Sequence, residues 1–468
     1  MIPFFPNKIA YRAIIVYLIA LTAVSLFYSR YAMQLLFIAM GIVCVMGFFL
    51  LTSSLTRGWL NRPAGSFAWF LFGVALFIRV VYVIGSYYYY TNVTGSPFGF
   101  ELGDAMGYHE TALWLMEEPW STAIDYFFHQ PGIPDSDAGY PIYLTALYKL
   151  FGPNILIPHL LKAFLSAWMC VLIYRIAQRS FGENAGKMAG VMCMLMPNFI
   201  IYCGNHLKET EMIFLEVAFL ERLDYLIRNR KYNLWTILLP TLLALSLFYF
   251  RTVLGAAAVF AFVTSAVFSS TPTMKKGWRR ATLIGWGLLF LIFSTGSTIM
   301  NEVQSYWEGR GDNATKKRYE QTLRGNQWAQ YATQTVMAPM IFVLPFATMV
   351  DVDEQYGQQE KSGGNFIRNF MGFFAILGVY EAFRRKKWRD FTLIGSFVIA
   401  YLGVVALSGF SNSERFLLPG LPGLILIWSY GIASLRKETF KLLTPWCLLV
   451  VAMEFAWAYF KLGSRGLF

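Results

Sequence analysis

The feature that most constrains this chain is a succession of apolar segments, each long enough to cross a lipid bilayer. A transmembrane helix needs about 20 predominantly apolar residues. Thirteen such segments follow one another, near residues 10–28, 33–52, 67–88, 157–178, 185–203, 209–227, 234–250, 252–270, 281–300, 366–383, 391–409, 415–434 and 442–461. Because an open strand cannot satisfy its backbone hydrogen bonds in lipid, the sequence predicts an all-α polytopic membrane protein with about 13 transmembrane helices and external juxtamembrane helices.

The composition excludes an ordinary soluble protein. Hydrophobic residues make up 56% of the 468 residues and charged residues only 14%, against about a quarter in a soluble domain. The first apolar segment, Ala10 to Tyr28, is followed by further spans, so we expect a membrane helix rather than a cleaved signal peptide. The net charge of +12 does not indicate nucleic-acid binding, because the basic residues form short clusters between apolar segments instead of a stripe.

These basic clusters predict how the chain is oriented in the membrane. They are Lys8 and Arg12; Arg57 and Arg62; Arg175, Arg179 and Lys187; Arg222, Arg228, Arg230 and Lys231; Lys275, Lys276, Arg279 and Arg280; Arg384, Arg385, Lys386, Lys387 and Arg389; and Arg436, Lys437 and Lys441. With a cytoplasmic N-terminus, every cluster falls on the cytoplasmic side. The stretch from Val80 to Tyr148 has no Lys or Arg but several acids, so we expect it to lie outside.

One further apolar run, Thr335 to Val350, would place the Arg384 to Arg389 cluster outside if it crossed the membrane. We therefore predict a re-entrant or interfacial segment there. The chain then divides into N-terminal spans at 1–65, a transmembrane catalytic module at 66–300 with an external loop at 89–156, an external region at 301–365, and C-terminal spans at 366–468.

The sequence offers no clear metal or nucleotide site. The cysteines lie in or at the ends of apolar segments without CxxC spacing, so neither a disulfide framework nor a zinc site is indicated. There is no P-loop. Glu101, Asp104 and Glu110 could supply oxygen ligands to a divalent metal, but no spacing fixes a site, so the cofactor requirement stays open.

Polar residues gather on the predicted external side. In the first large loop they are Glu101, Asp104, Tyr108, His109 and Glu110, and at short turns between spans they are His206, Lys208, Glu209, Arg251, Glu414 and Arg415. The loop is predicted to hold two helices on the membrane surface. One begins near Glu101 with Asp104 as its N-cap, and the other covers residues 139–152.

Each of these residues also has a purely structural explanation. Asp104 suits an N-cap, Glu209 favours the positive end of a helix, Arg251 suits an interface anchor, and Glu414 could pair with the adjacent Arg415. Their shared side of the membrane is therefore a stronger indication of function than any one of them.

Five motifs follow one another along the chain. They are Gly103-Asp104 with Tyr108 and Ala112; Ala138-Gly-Tyr-Pro before Leu147-Tyr-Lys-Leu-Phe-Gly152; Lys208-Glu-Thr; Phe250-Arg251-Thr; and Glu414-Arg-Phe-Leu-Leu-Pro-Gly-Leu-Pro422. Their order resembles the GT-C membrane glycosyltransferases, which include protein O-mannosyltransferases and the lipid A aminoarabinose transferase. The resemblance covers roughly residues 67–432. The chain departs from it at Ala105, where many members have a second acid, and at Gly139-Tyr-Pro, where some have Lys-Pro-Pro.

The resemblance implies a multispan fold whose external active site takes a sugar from a polyprenyl-phosphate carrier, with inversion. In that family an acid in the first external loop acts at the acceptor, a role that falls on Asp104. Lys208, Arg251 and Arg415 are candidate donor-phosphate ligands, since Arg offers bidentate contact and Lys a point charge. Further candidates for substrate or metal contact are Glu101, Tyr108, His109, Glu110, His206, Glu209 and Glu414.

The expected partners are a polyprenyl-phosphate-linked sugar, a lipid-linked, glycan or protein acceptor, and membrane lipids, with no nucleic acid. We expect the chain in the bacterial inner (plasma) membrane. An external site faces a compartment without nucleotide sugars, so its donor has to be delivered through the bilayer, and a polyprenyl-phosphate sugar meets that need. One alternative is a lipid-linked glycan polymerase or ligase, which would depend on external arginines, chiefly at 301–365, where Arg310, Arg318 and Arg324 lie with Lys316 and Lys317. Another is a transporter, which should show repeats and discontinuous helices; neither is evident in the sequence.

Overall fold

The computed structural model describes residues 2–128, 138–229, 233–268, 346–352, 355–407, 414–463 and 467. Within these ranges the chain is α-helical and has no strand beyond an isolated bridge between Ala32 and Val350. The fold class is therefore all-α, as the sequence predicts. The helices are α1 (Asn7–Phe27), α2 (Leu35–Gly58), α3 (Ala64–Thr94), α4 (Leu102–Glu117), α5 (Trp120–Phe128), α6 (Gly139–Phe151), α7 (Leu156–Phe181), α8 (Glu183–Leu195), α9 (Pro197–Gly204), α10 (Glu209–Asn229), α11 (Leu234–Phe250), α12 (Thr252–Phe268), α13 (Tyr356–Glu360), α14 (Ser362–Arg384), α15 (Thr392–Leu407), α16 (Glu414–Leu417), α17 (Leu421–Ala433), α18 (Lys437–Lys441) and α19 (Leu443–Gly463).

Eight helical segments in the described ranges are long and apolar enough to cross a bilayer. They are Asn7–Phe27, Leu35–Gly58, Ala64–Thr94, Leu156–Phe181, Ser362–Arg384, Trp388–Val405, Glu414–Ala433 and Lys437–Gly463. The last three each join neighbouring helices or a short 3-10 turn. The chain is therefore an integral membrane protein.

The other predicted spans have different outcomes. The segment at 209–227 is the helix α10, which carries several acids, and the segments at 234–250 and 252–270 are the shorter apolar helices α11 and α12. The segment at 281–300 lies outside the described residues. The total of 13 spans stays a prediction.

The predicted span at 185–203 is divided into α8 and α9, which meet at a bend of 41°. Pro197 is the first residue of α9, and it has no N–H to donate to the carbonyl four residues earlier, that of Cys193. The buried Arg79 of α3 donates to this carbonyl (3.3 Å) and to the carbonyl of Met194 (3.1 Å). This discontinuity was not evident in the sequence, which predicts one span at 185–203.

The loop after α3 contains three helices in its described part rather than the predicted two. The additional helix, α5, packs Ala123 and Phe127 against α4 and α6. Glu101 is the N-cap of α4, and Asp104 lies inside the first turn. The prediction that Asp104 is the N-cap was wrong, because the helix begins two residues earlier and the Asp104 side chain points to a different partner.

Two groups of ion pairs mark the opposite ends of the bundle. At one end, Arg179 contacts Glu221 (2.8 Å) and Asp224 (2.6 Å), and nearby Arg385 contacts Glu381 (2.8 Å). We call this the Arg179 end. The other end carries Asp104, and we call it the Asp104 end. The 21 residues of α10 join the two, a length of about 30 Å, which matches the hydrocarbon core of a bilayer.

Most of the run Thr335 to Val350 lies outside the described residues. Its last residues, Phe346 to Val350, are extended and buried. The Ala347 N–H donates to Glu454 of α19 (3.1 Å), and the Asp351 N–H donates to the Tyr31 carbonyl (2.7 Å). This part of the segment therefore packs at the junction between α1 and α2. The prediction that the whole run is a re-entrant or interfacial segment stays a prediction.

Candidate functional site

The centre of the Asp104 end is a set of ion pairs between residues far apart in the sequence. Arg415 of α16 donates from Nη1 to Asp104 of α4 and from Nε to Glu209 of α10. Glu209 also lies 3.8 Å from Nη2 of Arg251, at the junction of α11 and α12. The structure thus brings together Asp104, Glu209, Arg251 and Arg415, all of which the sequence singled out.

The members of this set differ sharply in exposure. The Asp104 side chain is 59% exposed, whereas Arg415 is 11% exposed and Glu209 is fully buried. A buried charge needs an oppositely charged partner to offset the loss of water, so Glu209 keeps the arginines in place. Asp104 is the part of the set that a molecule from solvent reaches first.

Arg251 is held by contacts of its own. Its Nη1 donates to the Tyr401 hydroxyl of α15 (3.0 Å), and its guanidinium lies over the Phe416 ring at 4.5 Å. These contacts fix the plane of the guanidinium next to Glu209. Arg251 is the single residue between α11, which ends at Phe250, and α12, which begins at Thr252.

The short segment between α9 and α10 carries His206 and Lys208, both buried. Lys162 of α7, which is fully buried, donates to the carbonyls of Asn205 (2.7 Å) and Leu207 and lies 3.8 Å from Glu211. Lys162 therefore positions the residues that flank Lys208. The sequence analysis did not select it, although a lysine inside an apolar segment is itself a signal.

Glu414 does not pair with its neighbour Arg415. Its carboxylate accepts from Asn198 (2.7 Å) and from the Tyr202 hydroxyl (2.8 Å), and it lies 3.6 Å from Arg368 of α14. The simple account of a self-contained Glu414–Arg415 pair is therefore wrong. The two side chains connect α16 to different parts of the bundle.

A second contact joins Glu101 to the C-terminal half of the chain. Glu101 Oε1 lies 2.5 Å from Lys361 Nζ, and Glu101 Oε2 lies 3.9 Å from Arg415 Nη1. Lys361 was missed because its partner Glu101 is distant in the sequence. Arg368, also missed, lies inside an apolar span where an arginine is costly unless it is paired.

Histidines form a separate chain of contacts beside this set. His109 Nδ1 lies 2.8 Å from the Tyr148 hydroxyl, which lies 3.5 Å from His206 Nε2. His206 Nδ1 in turn lies 3.3 Å from His159 Nε2. Burial lowers the pKa of His109, and burial together with the neighbouring His159 holds the pKa of His206 well below its usual value. His206 is therefore neutral at pH 7.

The two remaining candidates lie on α4. The Tyr108 ring packs edge-on against Tyr140 of α6, with ring centroids 5.1 Å apart. Glu110 is exposed at the surface of the helix.

Across the described part of the chain, no three His, Cys, Asp or Glu side chains converge on a point that could hold a metal ion. The carboxylates of Asp104 and Glu101 face cations instead.

Comparison of the chain with protein-family models and with curated proteins finds no match.

Proposed function

We propose that this protein is a membrane glycosyltransferase of the GT-C type, which moves a sugar from a polyprenyl-phosphate donor to an acceptor at the external face of the bacterial inner membrane. The observation that carries the proposal is the contact of exposed Asp104 with Arg415, which is only 11% exposed, with Arg251 joined to it through Glu209. An acid and two arginines within reach of one small ligand suit a reaction in which a hydroxyl is deprotonated while an anion departs.

The proposed reaction is a single displacement. The acceptor hydroxyl gives its proton to the Asp104 carboxylate while its oxygen forms a bond to the anomeric carbon of the sugar. The bond from that carbon to the phosphate oxygen breaks, and its electron pair leaves with the polyprenyl phosphate. Attack from the face opposite the phosphate inverts the anomeric centre.

The cations stabilise the departing phosphate. Arg415 and Arg251 can offer paired N–H donors to phosphate oxygens, and Lys208 adds a point charge. Arg415 already contacts carboxylates, so a donor phosphate must approach it from the side where the exposed acids Asp104 and Glu101 lie. Glu209 is fully buried and remains its partner.

Replacing Asp104 with asparagine tests the role of the base. Asp104→Asn keeps the size of the side chain and leaves Glu209 to pair with Arg415, so the protein should fold. Sugar transfer should fall by roughly 10²- to 10⁴-fold, the usual contribution of a general base. Binding of the polyprenyl-phosphate sugar should persist. Both quantities should be measured on purified protein in lipid nanodiscs.

Asp125→Asn is the matched control, because it removes the same charge from an exposed position on α5. It should leave transfer unchanged. Normal transfer by Asp104→Asn would remove Asp104 from the catalytic role and make Glu110 or Glu101 the next candidate. Absence of transfer by the unmodified protein with every polyprenyl-phosphate sugar and acceptor tried would contradict the proposed activity.

The alternative of a lipid-linked glycan polymerase or ligase would use external arginines of the region 301–365. Arg310, Arg318 and Arg324 of this region lie outside the described residues. The products distinguish the two functions. A transferase adds one sugar to each acceptor, whereas a polymerase lengthens a glycan and a ligase moves a whole glycan. A transporter would move the lipid-linked substrate without forming a new glycosidic bond.

A further inference from the structure

One carboxylate at the Asp104 end lies between two cations that come from separate helices. Glu101 places Oε1 2.5 Å from Lys361 Nζ and Oε2 3.9 Å from Arg415 Nη1. The Glu101 side chain is 33% exposed, whereas Lys361 is 3% exposed. Lys361 is thus buried and Arg415 is only 11% exposed, and the anion between them lies on the side that solvent reaches.

Glu101 is not needed to complete the helix that it precedes. It is the N-cap residue of α4, but its side chain makes no capping hydrogen bond there. Removing its carboxylate would leave α4 with the same backbone contacts. The carboxylate is therefore held at this position by the two cations rather than by the helix.

Lys361 is held in place without Glu101. Its Nζ donates to the Tyr202 hydroxyl (3.2 Å) and lies 4.6 Å from the centre of the Tyr202 ring. The Tyr202 hydroxyl donates in turn to Glu414 (2.8 Å). Burial opposes the charge of Lys361, but the carboxylates of Glu101 and Glu414 outweigh it and raise the pKa of Lys361 above its usual value. Lys361 is therefore charged at pH 7.

A phosphate diester resembles a carboxylate in the features that matter here. Both carry one negative charge on two equivalent oxygens, and both bind Arg through paired N–H donors and Lys through a point charge. The Glu101 carboxylate therefore occupies a position that a donor phosphate could occupy between the same two cations. Asp104 lies on the same helix, so the acceptor-activating acid would remain next to that phosphate.

We infer that Lys361 and Arg415 together bind the phosphate of the donor at the position of the Glu101 carboxylate, and that Glu101 is a built-in competitor which the donor displaces. This inference rests on the proposed function, since it assigns two further residues to the same substrate.

The inference predicts opposite effects for the two members of the pair. Glu101→Gln removes the competitor and keeps both cations. The probe is decaprenyl phosphate, the sugar-free carrier, which presents a phosphate and a lipid as the donor does. The variant should bind it more tightly, by roughly tenfold, as expected when one charge-assisted contact no longer has to be broken. Lys361→Met removes a ligand, so binding should weaken by roughly tenfold or more. Affinity should be measured by microscale thermophoresis on purified protein in nanodiscs.

Glu117→Gln and Lys149→Met are matched controls. Glu117→Gln makes the same change of charge as Glu101→Gln, and Lys149→Met the same as Lys361→Met, each at an exposed position of the loop 89–156. Neither control should alter the affinity for decaprenyl phosphate. The double variant Glu101→Gln/Lys361→Met supplies a coupling test. The gain from Glu101→Gln should shrink in that background, because the cation that Glu101 occupied is absent.

The outcomes separate the inference from the proposed function. If the unmodified protein binds decaprenyl phosphate but Glu101→Gln binds it equally or more weakly, the competitor role is wrong while the proposed function stands. If the unmodified protein binds no decaprenyl phosphate at all, the proposed function fails and the inference fails with it. A gain of affinity in Glu101→Gln cannot come from misfolding, so this variant decides the matter even if Lys361→Met does not fold.

Discussion

Single residues at the Asp104 end are arranged as alternating charges. Arg251, Glu209, Arg415, Glu101 and Lys361 follow one another in space, and each lies within 4 Å of the next. Removing one member of a buried pair costs about 3–5 kcal/mol, because the other charge stays buried without compensation. Substitutions at Glu209 or Arg415 would therefore confuse stability with function, whereas the exposed acids can be changed with less risk.

Protonation of His206 should destabilise the folded protein. Burial, and then the neighbouring His159, lower the pKa of His206 well below 6.5. The unfolded chain therefore binds a proton more readily, so the stabilisation is complete above pH 6.5 and is lost as the pH falls below it. His206→Gln should reduce the decrease in Tm between pH 7.5 and acidic pH, measured by tryptophan fluorescence.

His206→Gln should have nearly the same Tm as the unmodified protein at high pH, where the histidine is neutral. His109 also has a lowered pKa, so part of the pH dependence should remain in the variant. An identical dependence of Tm on pH in both proteins would show that His206 does not contribute.

Among the elements, the division between α8 and α9 shows how a helix is interrupted inside an apolar bundle. Pro197 removes the donor for the Cys193 carbonyl, and an unsatisfied carbonyl is costly in lipid or in the protein interior. Arg79 supplies the missing donor from α3 and also binds the Ser166 hydroxyl of α7 (2.7 Å). The bend in this span therefore depends on a side chain of another helix.

Arg79→Met should destabilise the protein, because it leaves the carbonyls of Cys193 and Met194 without this donor. The cost should be about 1–3 kcal/mol for each carbonyl. Pro197→Ala restores a backbone N–H and should recover part of this loss when combined with Arg79→Met. Unfolding in a series of mixed detergent and SDS solutions would measure both effects.

Arg79→Lys is the control for charge, since it keeps a donor but reaches fewer carbonyls. Equal stability of Arg79→Met and the unmodified protein would show that the carbonyls find other partners when α8 and α9 relax.

At the scale of the whole molecule, the two ends of the bundle carry different sets of charged residues. The Arg179 end holds basic clusters that pair with acids of neighbouring helices, such as Arg179 with Glu221. The Asp104 end holds the set of ion pairs that forms the candidate site. Because positive charge favours the cytoplasmic side of a membrane protein, we expect the Arg179 end in the cytoplasm and the Asp104 end outside.

Cysteine labelling of intact cells tests this orientation. A cysteine in place of Glu117, on α4 near the Asp104 end, should react with a membrane-impermeant maleimide from outside. A cysteine in place of Lys387, close to the Arg179 end, should react only after the membrane is permeabilised. Both positions are exposed, so access rather than burial decides the result.

The unmodified protein is the control for its native cysteines, of which Cys170, Cys193 and Cys203 are buried and Cys44 and Cys447 are partly buried. The reverse labelling pattern would place the Asp104 end in the cytoplasm. It would also remove the main reason for a polyprenyl-phosphate donor, since nucleotide sugars are present on that side.

The class of the fold and the approximate positions of most described helices follow from the amino-acid sequence alone. Apolar length is a local property, and about 20 apolar residues form a helix in lipid whatever their neighbours are. The same local reasoning found Arg251 and Arg415, because charged residues at the ends of apolar segments are conspicuous, whereas Asp104 was selected through the resemblance of its motif. It missed Lys361 and Lys162, whose significance depends on distant partners.

Which charged side chains contact one another depends on the packing of the helices. Arg415 and Asp104 are separated by 311 positions in the sequence. No periodicity of the sequence indicates that α16 lies beside α4. The same holds for Arg79, whose role depends on a proline in another helix, and for Glu414, which pairs with Arg368 rather than with its neighbour. The physical reason is that a span forms from its own contacts with lipid, whereas an ion pair forms only between the helix ends that packing places side by side.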